Sequence, residues 1–338
     1  MNRLIPLVAI SVLLVPMFPC GAGSDKSTIM GNWEGNWLAD SGERGKLSAQ
    51  LVDEGNGNYR AILKADVGEA QPVKGVMQGK QKGDTVEFKG SVDAGESLGG
   101  IYDCTGQVLG EKFTGRFSGP DDRGTFEMKK VFRKSPSLGS KPPEGAIVLF
   151  DGKDLSKWET KTHDPNPWKL LPDGAMEIVP NTADIVTRDE FGDFKLHLEF
   201  RVPLMETARG QGRGNSGVFL PGNCEEVQIL DSFGFETSKG SCGAVYDQNP
   251  PRVNASLPPG EWQTYDITCL VPRFDESGNM TRKTILTVHH NGTLIHDRFP
   301  AKRQTGTRHG ERFRGVLLQN HGSRVQFRNI WLLPLKSE

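Results

Sequence analysis

Charge of one sign is what this sequence conspicuously lacks: 41 Lys and Arg stand against 42 Asp and Glu, a formal net charge of −1. Such a balance builds no extended field for a polyanion, which argues against nucleic acid as a partner. Cysteine is sparse as well, with five in 338 residues, and no Cys-x-x-Cys or Cys/His spacing suggests zinc. The apolar run at residues 4–18 is too short and too interrupted by proline to span a membrane well. What the chain has in quantity is glycine (41) and proline (21), with short β-branched runs between them. That composition favours an all-β architecture with many turns.

The run at 4–18 reads instead as a targeting segment. Asn2-Arg3 precedes it and Gly21-Ala-Gly23 follows, which delimits a signal segment over 1–23. Cleavage places the mature protein outside the cytoplasm, in a periplasmic or extracellular space; a lipid anchor at Cys20 is the alternative processing. An oxidising compartment would also allow Cys224 and Cys242, which flank one strand-and-turn unit, to pair.

Residues 28–135 form a first unit. Short strands at 46–52, 59–64, 73–78, 85–89, 107–109 and 112–118 are separated by glycine-rich turns, the pattern of a small antiparallel sandwich or barrel. Trp33 and Trp37 read as core plugs, and nothing in the unit looks catalytic. Residues 136–144 are rich in Pro and Ser and read as a linker.

The second unit, 145–338, is organised around Gly214-Asn-Ser-Gly-Val-Phe-Leu-Pro-Gly-Asn-Cys-Glu-Glu-Val-Gln-Ile-Leu-Asp-Ser232. Two strand-like runs flank Pro221-Gly-Asn223. In the second run Glu226 and Gln228 point to one face, Val227 and Ile229 to the other. On a concave face such polar groups make a site; on a convex one they are only solvated. Asp231 points opposite to Glu226 and suits a turn cap at Ser232-Phe-Gly234. His197, Glu199 and Arg201 alternate with Leu196, Leu198 and Phe200, most simply as a cross-strand ion network. His289 and His296 sit diagonally across a hairpin at Asn291-Gly292, with no third ligand in view. About a dozen strands with scarcely any helix fit a two-sheet jelly-roll sandwich.

Several motifs recur here in a recognisable order: Leu149-Phe-Asp-Gly-Lys-Asp-Leu-Ser-Lys-Trp158, Leu198-Glu-Phe-Arg201, Gly214-Asn-Ser-Gly-Val-Phe219, Glu226-Val-Gln-Ile-Leu-Asp-Ser232, Cys242-Gly-Ala-Val-Tyr246, Gln319-Asn-His-Gly322 and Phe327-Arg-Asn-Ile330. Together they resemble the 3-keto-disaccharide hydrolase family over residues 145–335. The resemblance implies the concanavalin A-like lectin/glucanase jelly roll. It also implies a carbohydrate substrate, cleaved by base-assisted elimination across C1–C2 of a 3-keto-glycoside and then hydrated. The family usually reads Tyr-Glu-Val-Gln, whereas Glu225 stands here in the place of the Tyr.

On that resemblance Glu226 and His321 are the candidate base and acid. Gln228, Asn215, Arg328 and Tyr246 are candidates for substrate binding. Glu226, Gln228 and His321 form an oxygen-rich set suited to Ca, Mg or Mn, and no organic cofactor is expected. A non-catalytic, lectin-like glycan-binding protein is the competing reading, because this sandwich often binds glycans without cleaving them.

Overall fold

The computed structural model describes residues 29–68, 71–96, 99–221, 225–302 and 315–336. The signal segment over 1–23 and Cys224 lie outside the described residues. Among the described residues no helix is long and apolar enough to cross a membrane.

Eight strands make the first unit: β1 (Gly31–Ala39), β2 (Arg44–Gly55), β3 (Asn58–Ala65), β4 (Val73–Lys82), β5 (Thr85–Asp93), β6 (Ile101–Leu109), β7 (Lys112–Ser118) and β8 (Arg123–Val131). Each pairs antiparallel with the next, and β1 also pairs with β8, from Asn32↔Val131 to Ala39↔Gly124. Of the two architectures the sequence left open, the unit is therefore the closed barrel. Closure removes the unpaired edges that an open meander would expose. Period-two alternation fills it: in β3, Tyr59, Ala61 and Leu63 are buried while Arg60 and Ile62 are only partly so. Trp33 is fully buried and donates its indole N–H to the Ile29 carbonyl at 3.0 Å. Trp37 is only half-buried.

The second unit begins with β9 (Ile147–Phe150), β10 (Trp158–Thr160), β11 (Lys169–Leu170), β12 (Met176–Glu177), β13 (Ile185–Thr187), β14 (Phe194–Arg201), β15 (Ser216–Phe219) and β16 (Glu226–Ile229). It continues with β17 (Gln263–Leu270), β18 (Arg273–Phe274), β19 (Met280–Arg282), β20 (Thr284–His290), β21 (Thr293–Ala301), β22 (Leu317–Leu318) and β23 (Gln326–Pro334). These form a smaller sheet in the order β10-β13-β22-β15-β16, a larger one in the order β11-β12-β23-β14-β17-β20-β21 with β9 beside β23, and a two-stranded β18-β19 ribbon. One hydrophobic core lies between the two larger sheets, contributed by Val218, Val227, Ile229 and Leu318 from one and Leu196, Leu198, Phe200 and Phe327 from the other. The hairpin at Asn291-Gly292 has both residues at positive φ, 50° and 76°, as an Asn-Gly turn of type I′ requires.

The segment read as a linker is docked rather than free. Ser137 Oγ donates to Asp266 at 2.6 Å, the Gly139 N–H donates to Glu199 at 2.6 Å, and the Ser140 carbonyl accepts from Asn329 at 3.0 Å. Barrel and sandwich also touch directly. Met30 and Val52 pack with Phe233, and Arg209 donates to the Glu54 carbonyl at 3.0 Å.

Candidate functional site

The outer face of the smaller sheet follows from its register. Val218, Leu318, Ile185, Val227 and Ile229 point into the core. Their alternates therefore face outward. Pairing aligns Phe219 with Glu226 and Leu317, and Gly217 with Gln228. Gln319 donates its N–H to the Gly217 carbonyl at 3.0 Å and extends that second row.

Glycine at 217 makes room for the carboxylate. A Cβ there would lie 2.3 Å from Glu226 Oε1 and 2.9 Å from its Cδ. No other residue would let the Glu226 side chain lie across β15 in this way. Around it, Gln211 acts as a bracket. Its Oε1 accepts from Gln228 Nε2 at 2.8 Å and from Asn215 Nδ2 at 3.1 Å, while its own Nε2 donates to the Gly240 carbonyl at 2.8 Å. Two amide oxygens, Asn215 Oδ1 and Gln319 Oε1, are buried with no hydrogen-bond partner among the described residues. Unpartnered buried acceptors cost about 1–3 kcal/mol each unless something donates to them.

The loop carrying His321 borders this surface at both ends. Gln319 lies at one end; at the other, the Asn215 N–H donates to Ser323 Oγ at 3.1 Å. Asn320 pins the loop by donating from Nδ2 to the carbonyls of Val179 and Thr182, and from its N–H to Asp184 at 2.8 Å. His321 itself is exposed. Asp184 also meets Lys161 at 3.1 Å. Tyr246 flanks the other side: its N–H donates to the Glu226 carbonyl at 3.0 Å, and its ring is half-buried near Gly240.

Arg328 does not join the group. It sits in β23 of the larger sheet, directly opposite Glu199, with Nε 2.6 Å from Glu199 Oε2 and its guanidinium 4.0 Å over the Trp262 ring. Glu199 alternates with core-facing Leu198 and Phe200, so this pair occupies the far side of the sandwich from Glu226. The His197–Glu199–Arg201 face is the ion network its alternation suggested. His197 Nδ1 is 2.6 Å from Asp266 Oδ1, and Arg201 Nε donates to Gln326 at 2.8 Å. Burial pulls the His197 imidazole down, but the Asp266 and Glu199 carboxylates outweigh it and hold its pKa above the ordinary value. Burial likewise pushes the Glu199 carboxyl up, yet hydrogen bonds from His197, Asn329, Arg328 and Gly139 bring it down to about 2.

One member of the expected cation set is already engaged by the protein. Gln228 has already committed its amide, taking the Ile229 N–H on Oε1 at 3.1 Å and giving Nε2 to Gln211. Among the described residues no group of three or more His, Cys, Asp and Glu is placed to hold a metal ion. Asp231 accepts from the Phe233 N–H at 3.3 Å and is ion-paired with buried Arg213, which makes it structural. His296 is buried and bonded to the Gly243 carbonyl at 2.7 Å. Cys242 lies buried 3.1 Å from the Tyr265 hydroxyl, and its expected partner, Cys224, lies outside the described residues. Glu225, standing where the family has Tyr, is buried.

Sequence reasoning missed Gln211, Gln319, Asp184 and Lys161. Gln319 was inside a quoted motif, and its place one step before Asn-His-Gly was the available signal. Gln211 left none, because its role depends on a loop that folds back across 17 residues.

Residues 145–333 match the sequence profile of the 3-keto-alpha-glucoside-1,2-lyase-like domain. Among solved structures, a provisionally assigned glycosyl hydrolase from Parabacteroides distasonis aligns at 37% identity with a TM-score of 0.51, covering 57% of this chain and 85% of that one. A second provisionally assigned glycosyl hydrolase from the same organism aligns at 20% identity with a TM-score of 0.41, over 57% of this chain and 95% of its own. No curated protein matches the chain.

Proposed function

This chain belongs to the family of 3-keto-alpha-glucoside-1,2-lyase-like domains, and from that membership we propose that it cleaves 3-keto-glycosides by elimination across C1–C2 followed by hydration. The observation that carries the assignment to particular residues is the Glu226 carboxylate laid over Gly217, on a face that also holds two unpartnered amide oxygens. Sugar hydroxyls are donors of the right kind to complete Asn215 Oδ1 and Gln319 Oε1.

A ketone at C3 acidifies the hydrogen on C2. Glu226 takes that proton, and the C2–H electrons form the enolate between C2 and C3. As the ketone re-forms, the π pair moves to C1–C2 and the C1–O bond breaks. The departing oxygen takes a proton, for which His321 on the bordering loop is the donor. Water then adds its hydroxyl to C1 and a proton to C2, giving the free 3-keto sugar. Overall one glycosidic bond is hydrolysed with no redox change. Tyr246 and the Gln211-bracketed Gln228 shape the surface beside the base.

The test uses a chromogenic aryl 3-keto-glucoside and follows both phenol release and the absorbance of the transient enone. Glu226→Gln is expected to lower turnover by about 10²–10⁴-fold, the usual scale of a lost general base, with the fold intact by circular dichroism. His289→Ala, on the far hairpin, is expected to leave turnover unchanged. Wild-type turnover from Glu226→Gln would refute the assignment, and glycan binding without any turnover would favour the lectin-like reading.

A further inference from the structure

The barrel is packed at one end and hollow at the other. Around Trp33 its interior is filled by Leu51, Met77, Phe88, Val108, Phe113 and Met128, all buried. At the far end, where β1 and β3 end inward in Ala39 and Ala65, a cavity of about 460 Å³ remains. Folded interiors rarely hold voids larger than a water molecule. An eight-stranded barrel is just wide enough either to fill with side chains or to hold one small ligand. This volume lies within the range of small-molecule sites, roughly 300–1,000 Å³.

The walls select the chemistry. Leu47, Leu63, Val73, Val92 and Phe126 supply aliphatic and aromatic surface. Trp37 and Tyr102 each meet Phe117 edge to face, with ring centroids 6.1 and 6.0 Å apart. The Trp37 indole N–H is already given to the Asp66 carbonyl at 3.0 Å, so the ring offers only its apolar body. At the rim stand Glu43 and Asp122 with a single base, Arg44. Burial first, then the charges of Asp121, Asp122 and Glu43, push the Tyr102 hydroxyl pKa up. Cys104, also on the wall, has its thiol pushed up to about 11 by burial and then by Asp103, and is therefore neutral.

We propose that the hollow end of the barrel is a binding site for one uncharged aromatic molecule. Apolar walls favour apolar guests, which remove that surface from water, and the acidic rim turns away carboxylates and sulfonates. The site is separate from the sugar surface and does not depend on the reaction proposed above.

The full-length protein tests this with two dyes that differ by one charge. Neutral N-phenyl-1-naphthylamine is expected to give a saturable, one-site fluorescence rise. 1-Anilinonaphthalene-8-sulfonate is expected to bind at least roughly tenfold more weakly, an effect between that of one unfavourable charge contact in bulk water and that of one near a protein surface. Ala65→Trp, which fills the cavity, should abolish the neutral dye's signal. A second readout needs no variant: peptide-mapped labelling of Cys104 by methyl methanethiosulfonate should slow in proportion to dye occupancy. Absence of saturable binding, retained binding in Ala65→Trp, or unchanged Cys104 labelling at saturation would each overturn the site. Equal affinity for the sulfonate would overturn the selection against anions.

Discussion

Gly217 fixes where the Glu226 carboxylate lies, and it does so by what it omits. The adjoining strand leaves Glu226 no room to lie across β15 if residue 217 carries a Cβ. Gly217 has ordinary extended backbone, so alanine is conformationally acceptable there. Gly217→Ala is therefore expected to spare the melting temperature while displacing the carboxylate by about an ångström, which typically costs on the order of 10²-fold in turnover. Equal losses of stability and activity, read by calorimetry beside kinetics, would contradict this. The alternation of Glu226 and Gln228 was legible in the sequence because the strand period is two. Which sheet an outward residue belongs to was not legible. That is why Arg328, expected to bind substrate beside Glu226, falls instead on the far side with Glu199 and Trp262.

At the scale of elements, β14 and the segment crossing it behave as one electrostatic unit. The Glu199 pKa is depressed to about 2, so its contribution to stability is present above its unfolded value of 4.5 and fades as pH falls toward 2. The His197 pKa is raised, so its contribution is full below 6.5 and fades as pH rises through the folded value. The network should be strongest between these limits. Melting temperature is expected to rise from about pH 3 to pH 5 and to decline above about pH 6.5, with the acid limb flattened in Glu199→Gln. A wild-type profile without an acid limb would contradict the assignment. Gly139 supplies part of this unit from a segment that composition marks as a spacer. Its serines and bare N–H groups are the features that make it look unstructured, and they are also the donors that dock it. Pattern reading cannot tell these cases apart, because the acceptors lie on β14 and β17, from 60 to 129 residues away.

Over the whole molecule, two separate cores meet at a small apolar contact of Met30, Val52 and Phe233. Barrel closure was beyond sequence reading for a similar reason, since it rests on β1 finding β8 across the whole unit. Phe233→Ala removes the central side chain of the contact, a change that costs about 3–5 kcal/mol when a buried Phe is truncated. We expect scanning calorimetry of this variant to resolve separate unfolding of barrel and sandwich where the parent unfolds with closer overlap. Unchanged coupling would show that the polar contacts alone hold the units together.

One short loop has its two ends in different business. Thr207 rests against Gly55, Arg209 holds the Glu54 carbonyl, and two residues later Gln211 grips Gln228 and Asn215. The barrel is thus not freely exchangeable cargo in the ancestry of this chain. A recombinant that inherited a different first unit would inherit an untethered bracket with it, and selection would act on the β2–β3 turn as though it were part of the surface around Gln228 and Asn215.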